Sequence, residues 1–182
     1  MNLANKLTLL RVILVPVFMA FLLVDTTMCQ ILALAVFIIA SLTDMLDGQI
    51  ARRCNQITTF GKFADPLADK MLTTAAFLIF MQKGIIDSWA LMLILVREFT
   101  VSGVRLAAAG DGNVIAASFF GKFKTVAQMA AIIITILITN ISAIPQSISY
   151  TMSGALIWIS VVFTVLSGAD YVIKNKHLLK LK

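Results

Sequence analysis

Apolar positions come in long runs along this chain, and the polar positions fall between them or at their ends. Six runs approach the length of about 20 residues that crosses a bilayer, at roughly 7–24, 31–50, 67–82, 86–109, 118–139 and 148–173. The breaks between them include DTTMCQ, QKGIID, GDGN and NISAIPQ, short segments rich in turn formers. The third run is short unless its helix begins a turn or more before Asp65, within ITTFGKF. No cleavage-site pattern follows the first run, so it reads as a retained helix. With no internal repeat, low-complexity tract or long linker, the pattern predicts an all-α fold. It is an integral membrane bundle of six transmembrane helices, a single domain over 1–182.

Composition strengthens that reading. Apolar residues make up 60% of the 182 positions and charged residues 13%, with a mean hydropathy of +0.96. A soluble domain carries about 25% charged residues. The net charge of +6 could suggest nucleic acid, but its placement does not. Six helices put both termini on one side, and that side holds fourteen of the fifteen basic residues, leaving Lys83 opposite. Such a bias orients both termini to the cytoplasm, in the cell membrane. The expected partner of the charge is membrane lipid, with no nucleic acid. Asp44, Asp47, Asp65, Asp69, Glu98, Asp111 and Asp170 share the basic side, whereas Asp25 and Asp87 lie outside. Any chemistry therefore belongs at the cytoplasmic interface. Cys29 and Cys54 fall on opposite sides and are expected to remain unpaired.

The acids are arranged in pairs. Asp44 and Asp47 are three residues apart, about 60° around a helix, and Gly48 and Ala51 follow on the same stripe with Arg52 beyond. Asp65 and Asp69 are four apart and again share a face. Pro66 suits a first turn with Asp65 as N-cap; alternatively the helix starts earlier and Pro66 lies inside it. Asp44 could also simply pair with Arg52 or Lys70. Four carboxylates brought together repel, so cations or protons must accompany them. Oxygen-only donors suit Mg²⁺, Mn²⁺ or Ca²⁺, and the lack of His or a Cys pair argues against zinc. Two such ions with a basic rim are a recurring device for phosphoryl transfer. Gly48, Ala51 and Gly61 would then let a bulky ligand approach the backbone.

Written as a string, these positions are Asp44-x2-Asp47-Gly48-x2-Ala51-Arg52-x8-Gly61-x3-Asp65-x3-Asp69, eight identities over 26 residues. The string resembles the signature of the CDP-alcohol phosphotransferases, and the resemblance extends along nearly the whole chain. It implies six transmembrane helices around a cytoplasm-facing active site and, in many members, a homodimer. It further implies transfer of a substituted phosphate from a CDP-linked donor to an alcohol, with release of CMP. By the same resemblance Asp44, Asp47 and Asp65 would hold two divalent cations, Mg²⁺ or Mn²⁺, that grip the donor diphosphate. Asp69 would be the general base on the acceptor hydroxyl and would also touch a metal. Gly48, Ala51, Arg52 and Gly61 would line the CDP-lipid site.

For the acceptor, NKLTLLR places Asn5, Thr8 and Arg11 at three-residue intervals. That opening is similar to the start of the family's phosphatidylglycerophosphate synthases, as are REFTVSGVRLAAAG and GKFKTVAQ. These segments contribute Arg97, Arg105, Lys122 and Lys124, a basic set suited to a phosphorylated acceptor. Anchoring to anionic lipid also explains a basic residue and is preferred for Lys174, Lys176, Lys180 and Lys182, whereas Arg97 and Arg105, within a helix and farther from a loop, are expected to face a cavity. Glu98 is placed to hold Arg97. The expected reaction joins CDP-diacylglycerol and sn-glycerol 3-phosphate, with inositol phosphate as the rival acceptor. A cation-coupled transporter is the alternative of another class, disfavoured because charge is scarce in the outer helix halves. His177, Trp89 and Trp158 carry no expected role.

Overall fold

The computed structural model describes the backbone of residues 3–54, 59–110 and 119–175, and the side chains of residues 8–43, 70–106, 108 and 119–175. These residues form six α-helices and no strand: α1 (Leu3–Leu23), α2 (Thr27–Cys54), α3 (Thr59–Gln82), α4 (Ser88–Gly110), α5 (Phe119–Thr139) and α6 (Gln146–Asn175). All six predicted runs are helical. The main difference is at charged ends, where α2 continues to Cys54 and α3 begins at Thr59. Asp65 is therefore not an N-cap, and Pro66 lies inside α3, as Pro16 does inside α1. A proline inside a helix removes one intrahelical hydrogen bond, and the flanking turns of α3 remain helical on both sides.

Local chemistry marks the helix ends. Asp87 Oδ1 accepts from the Ala90 amide at 2.9 Å, capping α4. Thr26 plays the same part for α2, with Oγ1 at 3.4 Å from the Cys29 amide. Gly84, at φ +74°, turns the chain after α3, where its amide donates to the Met81 carbonyl at 3.0 Å. Asn140 Nδ2 donates to the Ile136 carbonyl at 2.8 Å and closes α5, and the Pro145 carbonyl accepts the Ile148 and Ser149 amides at the start of α6.

The chain divides into two compact units, residues 1–80 and 81–182. In the first, α1 packs on α2, with the Phe18 and Phe37 rings 5.6 Å apart. In the second, α6 packs against both α4 and α5. There α6 is built inside out for water. Ser149, Ser153, Ser160, Thr164 and Ser167 are buried, whereas Met152, Ile159, Val162, Leu166 and Ile173 are exposed. Several hydroxyls close on their own helix, Ser160 to the Ile157 carbonyl at 2.7 Å and Thr164 to the Ser160 carbonyl at 2.7 Å. Hidden hydroxyls under an apolar exterior are the polarity of a helix in lipid, where small polar residues face neighbouring helices. Helices α5 and α6 are long and apolar enough to cross a membrane; α1, α2 and α3 carry shorter apolar stretches, Thr8–Leu23, Thr27–Thr43 and Lys70–Gln82. The described residues are thus all-helical, with the apolar exterior of a membrane-associated protein.

Close approach limits what α6 can carry. A Cβ at Gly154 would sit 2.8 Å from the Ile85 carbonyl oxygen, which is backbone and has little room to yield. Gly154→Val should therefore lower the detergent-solubilised melting temperature, at a cost of roughly 1–3 kcal/mol. An unchanged melting temperature would show that α6 and the 83–87 turn separate freely.

Candidate active site

The eight signature residues all lie on helix. Asp44, Asp47, Gly48, Ala51 and Arg52 occupy the last three turns of α2, and Gly61, Asp65 and Asp69 the first three turns of α3. Their side chains lie outside the described residues. The backbone nonetheless gives a spacing that no sequence run displays. At 1.5 Å per residue, Asp44 and Asp69 each stand about 15 Å along the helix from the 55–58 link, and Asp47 and Asp65 about 10 Å. The two acid pairs are matched in distance from one short connection.

The described acids are otherwise accounted for. Asp87 caps α4, Asp25 accepts from Gln30 Nε2 at 3.4 Å, Asp170 pairs with Lys174 at 2.8 Å, and Glu98 takes two basic partners. Among the described residues no three His, Cys, Asp or Glu side chains cluster as a metal site. The side chains of Asp44, Asp47, Asp65 and Asp69 lie outside those residues.

On α1, Thr8 and Arg11 share the expected face and both are buried, at 1% exposure each; the Asn5 side chain lies outside the described residues. In the second unit the four expected acceptor bases separate. Arg97 Nη1 donates to Glu98 Oε1 at 3.1 Å and Nη2 to Ser167 Oγ at 3.0 Å. Lys124, reaching from α5, donates to the same Glu98 oxygen. Arg105 is exposed and stacks on Tyr171, with Nε 3.3 Å from the phenol oxygen and its guanidinium carbon 5.4 Å from the ring centre. Lys122 is exposed on α5. Arg97 and Lys124 are thus brought together, while Arg105 is engaged by α6 two turns along α4.

Magnitude separates these pairs. The Lys174–Asp170 bridge is solvent-exposed, and such pairs contribute about 0–1 kcal/mol. Arg97, Glu98 and Lys124 have side chains only 7–11% exposed, where removal of one partner typically costs about 3–5 kcal/mol. Sequence reasoning placed Glu98 beside Arg97 but did not find its bond to Lys124 or the part taken by Ser167. The available signal was an acid in the middle of an apolar helix, which needs a partner; its identity, 26 residues away, has no sequence period. Cys29 is a free thiol, as expected.

Comparison with known proteins supplies the decisive observation. The family model for CDP-alcohol phosphatidyltransferase matches residues 1–166. The chain belongs to the CDP-alcohol phosphatidyltransferase family. It is 40% identical over 191 residues to the CDP-diacylglycerol–glycerol-3-phosphate 3-phosphatidyltransferase of Bacillus subtilis, covering 98% of this chain and 97% of that one. It is 38% identical over 175 residues to a probable phosphatidylglycerophosphate synthase of Mycobacterium tuberculosis (94% and 80% covered). An Escherichia coli relative, also a CDP-diacylglycerol–glycerol-3-phosphate 3-phosphatidyltransferase, is 39% identical over 137 residues (72% and 74% covered). As a phosphatidyltransferase family member, the chain has a family match that runs through both compact units.

Proposed function

We propose that this phosphatidyltransferase moves the phosphatidyl group of CDP-diacylglycerol to sn-glycerol 3-phosphate, giving phosphatidylglycerophosphate and CMP in phospholipid synthesis. The observation that carries the reading is the near full-length similarity to a relative of that name, together with all eight signature positions in this chain. Residues 1–182 act as one catalytic domain. The helices form a six-span bundle with the α2–α3 acids and both termini at the cytoplasmic face, supported by the one-sided distribution of basic residues. The assembly is a homodimer.

Asp44, Asp47, Asp65 and Asp69 would hold two divalent cations, Mg²⁺ or Mn²⁺, and the chemistry such ions would supply there is positive charge against the donor diphosphate. Gly48 and Gly61 have no side chains, and with the small Ala51 they let CDP approach the helix backbones, while Arg52 pairs with its phosphate. Asn5, Thr8, Arg11, Arg97, Arg105, Lys122 and Lys124 form the acceptor side, where several fixed positive charges favour an alcohol that carries a phosphate. Asp69 takes the proton from the acceptor hydroxyl as its oxygen attacks the phosphatidyl phosphorus. The new P–O bond forms, the P–O bond to CMP breaks, and CMP departs with the displaced electron pair.

Three measurements test these assignments. Purified protein with CDP-diacylglycerol and Mg²⁺ or Mn²⁺ should release CMP with glycerol 3-phosphate and not with serine or inositol phosphate. Release only with another alcohol would overturn the acceptor. Asp69→Asn should abolish turnover, by about 10²-fold or more, and keep metal-dependent CDP-lipid binding, whereas Asp44→Asn and Asp47→Asn should weaken both. Equal loss of binding in all three would remove the separate base role. For orientation, a membrane-impermeant maleimide should reach Cys29 from outside intact cells and Cys54 only in inside-out vesicles. The reverse pattern would invert the topology.

A further inference from the structure

Glu98 holds two cations from two helices, and the surroundings of Arg97 show that the arrangement is built rather than incidental. The Arg97 side chain crosses α6 at Gly168, where a Cβ would stand 2.7 Å from its Cγ. Beyond that crossing its guanidinium meets Ser167 and Glu98. Ser167 Oγ donates to the Thr164 carbonyl at 3.0 Å, so its lone pairs are left to Arg97. One turn along α5 from Lys124, buried Gln128 donates to Thr164 Oγ1 at 3.0 Å and locks α5 to α6 in the same register. Arg97 Nε, also buried, has no hydrogen-bond partner among the described residues. A guanidinium fixed at both Nη atoms with Nε unspent still has a donor to offer, and buried donors are rarely left so.

We propose that Glu98 is a positioning residue for substrate recognition: it draws the Arg97 guanidinium and the Lys124 ammonium into one phosphate-binding fork, in a bed that Gly168 keeps open. Two cations drawn to one carboxylate oxygen repel each other, and that shared oxygen makes their proximity stable where the side chains are only 7–11% exposed. A phosphomonoester dianion then meets both charges without first gathering them, which lowers the cost of binding. The inference rests on the acceptor reading above and deepens it, assigning the acceptor's phosphate to the α4–α5–α6 unit.

The test compares steady-state kinetics of the full-length protein with Glu98→Gln, Glu98→Asp and Gly168→Ala. Glu98→Gln keeps the shape and loses the charge; the KM for glycerol 3-phosphate should rise roughly 10- to 100-fold, with the KM for CDP-diacylglycerol within about twofold. Glu98→Asp restores the charge at shorter reach and should recover part of the loss. Gly168→Ala alters no charge and should raise the same KM several-fold by displacing Arg97. Where Glu98→Gln cannot be purified, Glu98→Asp decides: its shorter reach should still raise the glycerol 3-phosphate KM above wild type, and an unchanged KM would overturn the positioning role. Unchanged glycerol 3-phosphate KM in a folded variant, or parallel loss for both substrates, would overturn the positioning role and leave Glu98 a strut between helices. A wild-type protein that releases no CMP with glycerol 3-phosphate would instead overturn the acceptor reading, so the two failures are distinct.

Discussion

A charge that leaves water must meet its opposite, and in the second unit of this chain Glu98 meets two. The carboxylate sits on α4 beside Arg97 and receives Lys124 from α5, so a single oxygen ties neighbouring helices through their charged residues. The rest of the unit follows from that constraint. Arg97 needs a path across α6, and Gly168 leaves one. Its second Nη needs an acceptor, and Ser167 provides it. Gln128 and Thr164 extend the polar seam by a further turn. Apolar packing alone would hold α6 against its neighbours less specifically, because hydrocarbon contacts tolerate sliding and directed hydrogen bonds do not.

The same economy governs three hydroxyl groups of α6, while Ser149 Oγ and Ser153 Oγ are buried with no hydrogen-bond partner among the described residues. Serine and threonine in a lipid-facing protein would be costly if left without acceptors, yet Ser160, Thr164 and Ser167 close on carbonyls of their own helix. Their polarity is thereby spent locally, and their small size lets neighbouring helices approach. Gly154 takes this to the limit at the Ile85 carbonyl. Large exposed side chains such as Phe99, Leu106 and Phe119, at 70%, 74% and 78% exposure, supply the apolar exterior.

Long apolar runs made the six helices legible, because each hydrophobic stretch is longer than a strand needs and breaks at turn formers. Helix ends were less so. The run at 31–50 stops short of Arg52 and Arg53, and the run at 67–82 leaves the start of its helix open within ITTFGKF. Yet α2 continues to Cys54 and α3 begins at Thr59, since helical backbone bonds do not depend on side-chain polarity. Pro66 was ambiguous for the same reason, as one missing N–H is compatible with either a start or an interior. Fixed spacing made the acid pairs readable at once. Glu98 with Lys124 was not, because a pairing between helices 26 residues apart depends on how those helices pack. Arg105, on the same helix as Arg97, stacks on the phenol of Tyr171 from α6, a contact that no sequence spacing displays.

The placement of Glu98 has a consequence during synthesis. On the proposed topology, α4 enters the bilayer with Arg97 and Glu98 adjacent, a pair that is neutral before any other helix arrives. Helix α5 brings Lys124 with no acid of its own, its nearest carboxylate being on the helix already made. On that topology chain order delivers the counter-charge first and the charge second, so that α5 would enter the bilayer with the carboxylate for its lysine already made.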